Sequence, residues 1–346
     1  MGGRRSETTP KPVLVSLVTH NDARFVAACL DSVLRQSVPV RLKVFDNASS
    51  DETCRIVEQN GVPLEVSPEN TGYSRGHNWN LRGEDFETAL FLNADVVLKP
   101  DYVDKVAAAL SGVEKAGMAG GKLFRMSEDG KQLFRDGHPV LDSTGMFFTP
   151  AQRHFDRGSG ETDQGQYDRR ELVFGITGAA LACRRAMLEE IGWQGEYLDE
   201  DFFAYREDAD LAWRGQLSGW KAVYEPRAEA LHCRNVLPEG RRRVPPLINY
   251  HSLKNRYLMR IKNMDRAVRR RCFPHMWIRD VGILAYVLLL ERSSLGAYRD
   301  VWRLRRRFRE KRRQVQSSRR AGPGEMARWF SFRPVAFEIT AEAENH

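Results

Sequence analysis

The segment PVLVSLVTHNDARFVAACLDSVLRQSVPVRLKVFDN (12–47) decides the fold. Its first part, PVLVSLV (12–18), is a short apolar run without alternation, the pattern of a parallel strand buried on both faces. From Asp22 to Gln36 the apolar residues Phe25, Val26, Cys29, Leu30, Val33 and Leu34 recur at helical intervals. VRLKVF (40–45) returns to strand. Working outward, 50–59 reads as a helix opened by a capping Ser or Asp. Residues 62–66, 89–92 and AGMAGGKLF (116–124) read as strands, and 102–110 as a helix. Strands and helices alternating over short connections specify an α/β fold with a mostly parallel sheet. Residues 125–170, rich in Gly, Asp, Arg and Gln, break the rhythm and read as an irregular excursion or hairpin. Strand-like sequence resumes at 172–185, a helix starts near Ala204 or Tyr205, a strand covers 221–224, and the chain from about 245 is mostly helical.

A chain of 346 residues suggests about two domains. Hydrophobic content of 42% and charged content of 29% exclude wholesale disorder, a collagen and a polytopic membrane protein. Five cysteines with no Cys-x-x-Cys pair argue against a disulfide framework and a cysteine zinc site, and for a reducing cytosol. MGGRRSETTPKP (1–12) has no apolar stretch, so no signal peptide is expected. The net charge of +8 divides unevenly: residues 241–320 carry +19 and the remainder −11. Such a basic region suits nucleic acid or an anionic membrane face. A nucleic-acid-binding protein is therefore the reading from a different class. Against it, the interleaved aromatics of an RNA-binding platform are missing and the acidic body would repel a phosphate backbone. The most apolar run, VGILAYVLLL (281–290), covers about half of a ~30 Å hydrocarbon core and is too short to span it. Trp277, Tyr298, Trp302 and the cluster RLRRRFREKRR (303–313) surround it, a composition carried both by interfacial amphipathic helices and by buried bundle helices.

In open α/β sheets ligands sit beyond the carboxyl ends of the strands. The residues found there are Thr19-His20-Asn21-Asp22, the stretch Asp46 to Asp51, the stretch Asn70 to Asn78, and Asn93-Ala94-Asp95. Four such ends rich in Asp, Asn and Gly indicate a polar-ligand site. The glycine fingerprints of dinucleotide-binding dehydrogenases and P-loop NTPases are absent. Asp95 follows the apolar strand LFL, where a carboxylate can hold Mg²⁺ or Mn²⁺ bridging two phosphates. The densest feature is GEYLDEDFFAYREDADLAWR (195–214), with seven carboxylates between Glu196 and Asp210. Glu207 and Asp210 would share a helix face, with Asp210 in i,i+4 reach of Arg214, while Asp208 points elsewhere. A helix N-terminus favours one or two carboxylates; so many beside aromatic residues call for a general base, a metal or a sugar.

Taken together, VSLVTHN, DNASSDET, ENTGYSRGHN, LFLNADVVL, TGAALACRR and DEDFFAYREDADLAWR resemble, in order and spacing, the family 2 glycosyltransferases of the GT-A fold, and most closely their bacterial rhamnosyltransferase-like branch. HSLKNRYLMRIKN (251–263) is similar to the segment following the catalytic domain in that branch. The resemblance implies a flexible N-terminus (1–11), a catalytic domain over 12–240 (nucleotide half 12–124, acceptor half 125–240) and a helical basic region over 241–346. It implies that Thr19, Asn21, Asp46, Asn47, Asn70, Gly72, Arg75, Asn93 and Asp95 bind the nucleotide-sugar, Asp46 accepting from the base. It implies Asp95 and His232 as metal ligands, Asp208 with Glu207 as the catalytic carboxylates, and Gly178, Asp210 and Trp213 on the acceptor side. Asn93 replaces the first Asp of the family's Asp-x-Asp, Glu52 and Asn80 stand where Gly is usual, and Cys233-Arg234-Asn235 replaces a small-residue run. The implied activity is inverting transfer from a dTDP- or UDP-sugar, dTDP-rhamnose first and a UDP-hexose as the alternative. The implied acceptor is a saccharide or a polyprenyl-diphosphate-linked saccharide, reached from the cytoplasm at the inner membrane face.

Overall fold

The computed structural model describes residues 11–234 and 246–339. Most of the expected flexible N-terminus, the expected boundary at 240/241 and Asn235 lie outside the described residues. The first half alternates as the sequence indicates: β1 (Val13–Thr19), α1 (Val26–Leu34), β2 (Val40–Asp46), α2 (Thr53–Gln59), β3 (Leu64–Val66), α3 (Tyr73–Leu81), β4 (Thr88–Asn93), β5 (Val96–Leu98), α4 (Tyr102–Ser111) and β6 (Ala116–Arg125). Asp51, one residue before the N-cap Glu52, accepts from the Thr53 N–H at the start of α2 at 3.0 Å. Helix α3 occupies a stretch that reads from sequence only as a polar strand-end loop. Its small and polar residues are buried, because Asn80 Nδ2 donates to Ser16 Oγ, the Leu17 carbonyl and the Lys43 carbonyl.

The excursion at 125–170 is a set of short strands: β7 (Phe134–Arg135), β8 (His138–Pro139), β9 (Leu141–Ser143), β10 (Met146–Phe148) and β11 (His154–Asp156). Then follow β12 (Glu171–Val173), β13 (Ala180–Arg184), α5 (Arg185–Ile191), α6 (Glu207–Leu217), β14 (Lys221–His232), α7 (Pro246–Asn263), α8 (Arg266–Leu289), α9 (Leu295–Ser317), α10 (Pro323–Arg328) and β15 (Phe337–Glu338). Two of these differ from expectation. Strand β14 runs on to His232, because it pairs with both β6 and β5. Helix α8 extends the apolar run backwards to Arg266, so its 24 residues exceed the length inferred from 281–290 alone and suffice to cross a membrane by length and composition.

The central sheet has the order β15-β12-β14-β6-β13-β4-β1-β2-β3, and only β13 and β12 on that path run against the rest. Every residue of β1 is buried, its side chains alternating between two apolar layers. Phe308, Val315 and Met326 from the C-terminal helices, with Phe330 just after α10, pack in the same core as Phe174 and Trp213, so the helical region is built onto the sheet.

A charge network reinforces that junction. Lys262 Nζ of α7 lies 2.5 Å from Asp199 and 2.8 Å from Asp210; Lys311 Nζ of α9 lies 2.5 Å from Asp199 and 2.8 Å from Asp201. Arg214 meets Asp210 at 2.9 Å, the i,i+4 pair expected from sequence. With Arg307 on Glu196 and Asp201, and Arg75 3.7 Å from Glu200, five of the seven clustered carboxylates are matched by cations. Folding thus accounts for most of an acidic cluster that sequence reading attributes to a ligand. Replacing Lys262 by Met should leave two buried carboxylates short of a cation and lower unfolding free energy by about 3–5 kcal/mol. Urea denaturation checks this, and a loss under about 1 kcal/mol would mean the pair contributes no more than a surface ion pair.

Candidate functional site

Register brings the strand ends level: Thr19 is opposite Asp46, and Val18 opposite Asn93. Here the sequence expectation for Asp46 needs correcting. Its side chain is fully buried and accepts from Thr19 Oγ1 at 2.8 Å, the Ser49 N–H at 2.8 Å and Ser49 Oγ at 2.6 Å. Asp46 and Thr19 therefore close the turn after β2 and do not face a base. Asn47 is also structural: its Oδ1 accepts from the Thr71 N–H at 3.0 Å and its Nδ2 donates to the Gly72 carbonyl at 3.1 Å. Asn21, Asn70 and Arg75 stand on the exposed rim of this group. Gly72, at φ +89°, has its backbone so close to Phe203 that a Cβ would meet the Phe203 carbonyl oxygen at 2.5 Å.

Beside these ends lies a cleft of about 1000 Å³ that brings together Asn93, Asp95, Gly178, Glu207, Asp208 and His232. Antiparallel pairing sets His232 opposite Val96, next to Asp95. His232 Nε2 is 3.4 Å from Asp95 Oδ1, and its Nδ1 is 2.7 Å from Asp142 Oδ2. A carboxylate fixing one imidazole nitrogen while the other faces a carboxylate in a cleft is the arrangement that orients a metal-ligating histidine. The residues thus fit a divalent cation that takes two protein ligands. Among the described residues no group of three or more His, Cys, Asp or Glu side chains could hold one unaided. Burial opposes charge on His232, but the Asp142 and Asp95 charges dominate and push the imidazole up to about 10. A cation must therefore displace a proton.

The other wall is the segment leading into α6. Phe203, Tyr205 and Arg206 hold φ of 68°, 69° and 76°, where non-glycine residues are strained by about 1–3 kcal/mol each. That is why α6 begins at Glu207 and not at Ala204 or Tyr205. Asn255 of α7 holds the turn, its Nδ2 donating to the carbonyls of Phe202 at 2.9 Å, Ala204 at 2.9 Å and Tyr205 at 2.8 Å. His251 stacks on Phe203 with ring centroids 4.7 Å apart, and Arg206 Nε donates to the Ser252 carbonyl at 2.9 Å. The turn delivers Asp208 against Gly178, whose N–H donates to Asp208 Oδ2 at 2.9 Å and whose carbonyl accepts from Tyr73 Oη at 2.9 Å. The Ala209 N–H donates to Asp208 Oδ1 at 2.7 Å.

Burial raises the Asp208 carboxyl while those two N–H groups oppose the shift. Burial, and then the Asp208 charge beside it, push the Glu207 carboxyl up to about 8. Two adjacent carboxylates thus differ in role: Glu207 keeps its proton near neutrality, and Asp208 is held by donors suited to its ionised form.

Two expected acceptor residues do not reach the cleft. Asp210 is fully buried among Arg214, Lys262 and Asn263, and Trp213 is fully buried against Phe148, Phe174 and Phe330. Both sit on the inner face of α6. Gly178 does line the cleft. Sequence reading missed Asp142, Tyr73 and Asn255. Asp142 lies in the irregular excursion with no motif to mark it, Tyr73 sits within the third polar block, and Asn255 within HSLKNRY, where the only signal was the block itself.

A family model described as Glycosyl transferase family 2 matches residues 15–192. The N-acetylglucosaminyl-diphospho-decaprenol L-rhamnosyltransferases of two Mycobacterium tuberculosis strains, CDC 1551 / Oshkosh and ATCC 25618 / H37Rv, are 28% identical over 221 residues, covering 56% of this chain and 66% of each relative. The chain thus spans just under two thirds of the length of those relatives. Among solved structures, GalNAc-T7 with UDP, GalNAc and Mn²⁺ superposes with a TM-score of 0.61 at 13% identity, over 84% of this chain and 55% of that one. S. aureus TarS 1–349 in complex with UDP gives 0.52 at 16% identity, over 89% and 91%. The mannosyltransferase PcManGT from Pyrobaculum calidifontis in complex with GDP-Man and Mn²⁺ gives 0.50 at 16%, over 90% and 86%. At these identities the solved structures show a shared fold.

Because Glu207 ionises at a higher pH in the folded chain than a free glutamate, folding favours its protonated form. Its contribution to stability is complete below the ordinary glutamate range and is lost as pH rises through about 8. Glu207→Gln removes that dependence. The melting temperature of the variant should gain on the wild type steadily from about pH 5 to about pH 9. A constant difference across that range would show that Glu207 ionises normally.

Proposed function

We propose that this chain, which belongs to glycosyl transferase family 2, transfers L-rhamnose from dTDP-rhamnose to a hydroxyl of a saccharide carried on a polyprenyl diphosphate, with inversion at the anomeric carbon. The observation that carries the mechanism is Asp208, fixed by the Gly178 N–H in the same cleft that holds Asp95 and His232. The rhamnose and lipid-linked acceptor follow the activity that names the relatives at 28% identity.

The nucleotide lies over the strand ends. Thr19, Asp46 and Asn47 shape that surface from beneath, and Asn21, Asn70, Gly72, Arg75 and Asn93 border it. A divalent cation, Mg²⁺ or Mn²⁺, held by Asp95 and His232 would supply Lewis-acid neutralisation of the diphosphate. The acceptor hydroxyl enters from the side of Gly178. Its oxygen attacks C1 of the sugar as the C1–O bond to the diphosphate breaks. The bonding electrons leave with the nucleoside diphosphate, and the hydroxyl proton passes to Asp208. A single displacement needs no covalent nucleophile and inverts the centre. Glu207, protonated near neutrality, keeps a second negative charge away from the base and would donate a hydrogen bond within the cleft.

This reading is tested by a donor panel of dTDP-rhamnose, UDP-glucose, UDP-galactose and UDP-N-acetylglucosamine, run on the wild type and Asp208→Asn. The wild type should prefer dTDP-rhamnose. The variant should bind donor normally but lose about 10²–10⁴-fold in kcat, the share of a proton acceptor. A tenfold preference for a UDP-hexose (about 1.4 kcal/mol) would replace the donor, and near-wild-type turnover by Asp208→Asn would remove the base.

A further inference from the structure

We propose that the outer face of α8 is a docking surface for an anionic lipid bilayer, and that it sets the mouth of the cleft against that bilayer. The helix has two unlike faces. Cys272, Met276 and Val287 are buried against the protein, and Asp280 between them pairs with Arg256 at 3.1 Å and Arg260 at 2.8 Å on α7. The opposite face presents Phe273, Trp277, Ile278, Val281, Leu284 and Leu288, each between 43% and 64% exposed. At 3.6 residues per turn these fall within one arc of roughly 140°. Such an area of exposed apolar surface calls for a partner.

Charge selects that partner. Arg266, Arg269 and Arg270 are exposed at the start of α8, and Arg292 is exposed just beyond its end. Asp280 is the sole carboxylate of the helix, and it is turned inward. The outer face therefore combines apolar groups with cations and carries no anion, the composition of a helix lying in an anionic membrane interface. On α9, by contrast, Arg307, Lys311 and Arg312 are engaged with Glu196, Asp199, Asp201 and the carbonyls of Ile261 and Met264, so three of the eight cations between Arg303 and Arg313 are committed to the protein itself.

Although α8 is long enough to cross a bilayer, crossing would strip its inner face from the core and carry the Asp280–Arg256–Arg260 group into hydrocarbon, where charge is expensive. The helix therefore lies along the surface. Its inner edge contributes Ile283, Tyr286 and Val287 to the cleft that holds Asp95 and Asp208. A sugar attached to a membrane lipid would reach Asp208 from that edge. This last step rests on the lipid-linked acceptor proposed above; the docking surface itself does not.

The full-length protein is sedimented with vesicles of phosphatidylcholine, with and without phosphatidylglycerol. The wild type should pellet with the phosphatidylglycerol vesicles and be released by salt. Arg266→Gln with Arg270→Gln should bind about 30-fold more weakly, from the contribution of each cation at an anionic surface. Trp277→Glu with Leu284→Glu should stay in the supernatant while transferring to a soluble acceptor as the wild type does. The proposal is overturned by wild type remaining in the supernatant at low salt, by variants that pellet like the wild type, or by a stable dimer in sedimentation velocity that covers α8. Vesicle binding as described, with no transfer to any acceptor, would support the surface and reject the proposed reaction.

Discussion

The strained turn from Phe203 to Arg206 is the constraint on which the cleft depends. Three non-glycine residues at positive φ are not stable on their own and persist only where their surroundings over-determine them. The surroundings are specific. Asn255 ties three carbonyls of the turn, His251 stacks on Phe203, and the Gly72 backbone closes on the Phe203 carbonyl from the start of α3. One turn thus touches the loop before α3, the helical region and the carboxylate pair at once, and a shift in any of the three would move Asp208.

The division of charge along the chain has its explanation here. The acidic segment before and within α6 is anchored by cations from α7 and α9, chiefly Lys262 and Lys311, with Arg214 from α6 itself. Buried ion pairs of this kind add little stability over an apolar core, but each is costly to break on one side. Their effect is positional: they hold the C-terminal helices in one register against the glycosyltransferase fold, and that register delivers Asn255 to the turn. The basic surplus that remains on the outside of the helical region is smaller than composition suggests and is divided between α8 (Arg266, Arg269, Arg270 and Arg271) and α9 (Arg299, Arg303, Arg306, Arg309 and Arg313).

The fold was legible where burial writes a pattern. The buried runs of β1, β2, β4 and β6 and the helical spacing of α4 sit within a residue or two of where the sequence puts them, while α1 begins at Val26, four residues after the expected start at Asp22. Helix α3 was not legible, since a buried helix made of Ser, Gly, His and Asn has no apolar stripe; its contacts are hydrogen bonds that only the tertiary structure supplies. Of the site, Asp95, His232, Glu207, Asp208 and Gly178 meet in one cleft as the strand-end rule and the motifs suggest. Asp210 and Trp213 lie beside those residues in sequence but are fully buried behind α6, where Lys262, Asn263 and the aromatic core cover them, and that tertiary burial keeps them from the cleft. Asp142 and Asn255 act across 90 and about 50 residues of chain, a kind of information that local sequence does not contain.

The role of the helical region in catalysis is tested most directly by steady-state transfer kinetics of Asn255→Ala, alongside its donor-induced thermal shift. Asn255 lies on α7, donates to the backbone of the turn and does not line the cleft. If the turn sets the position of Asp208, kcat should fall by at least about tenfold, since a misplacement of ~1 Å costs up to about 10², while the donor still raises the melting temperature as in the wild type. A folded, donor-binding Asn255→Ala protein with wild-type kcat would contradict it.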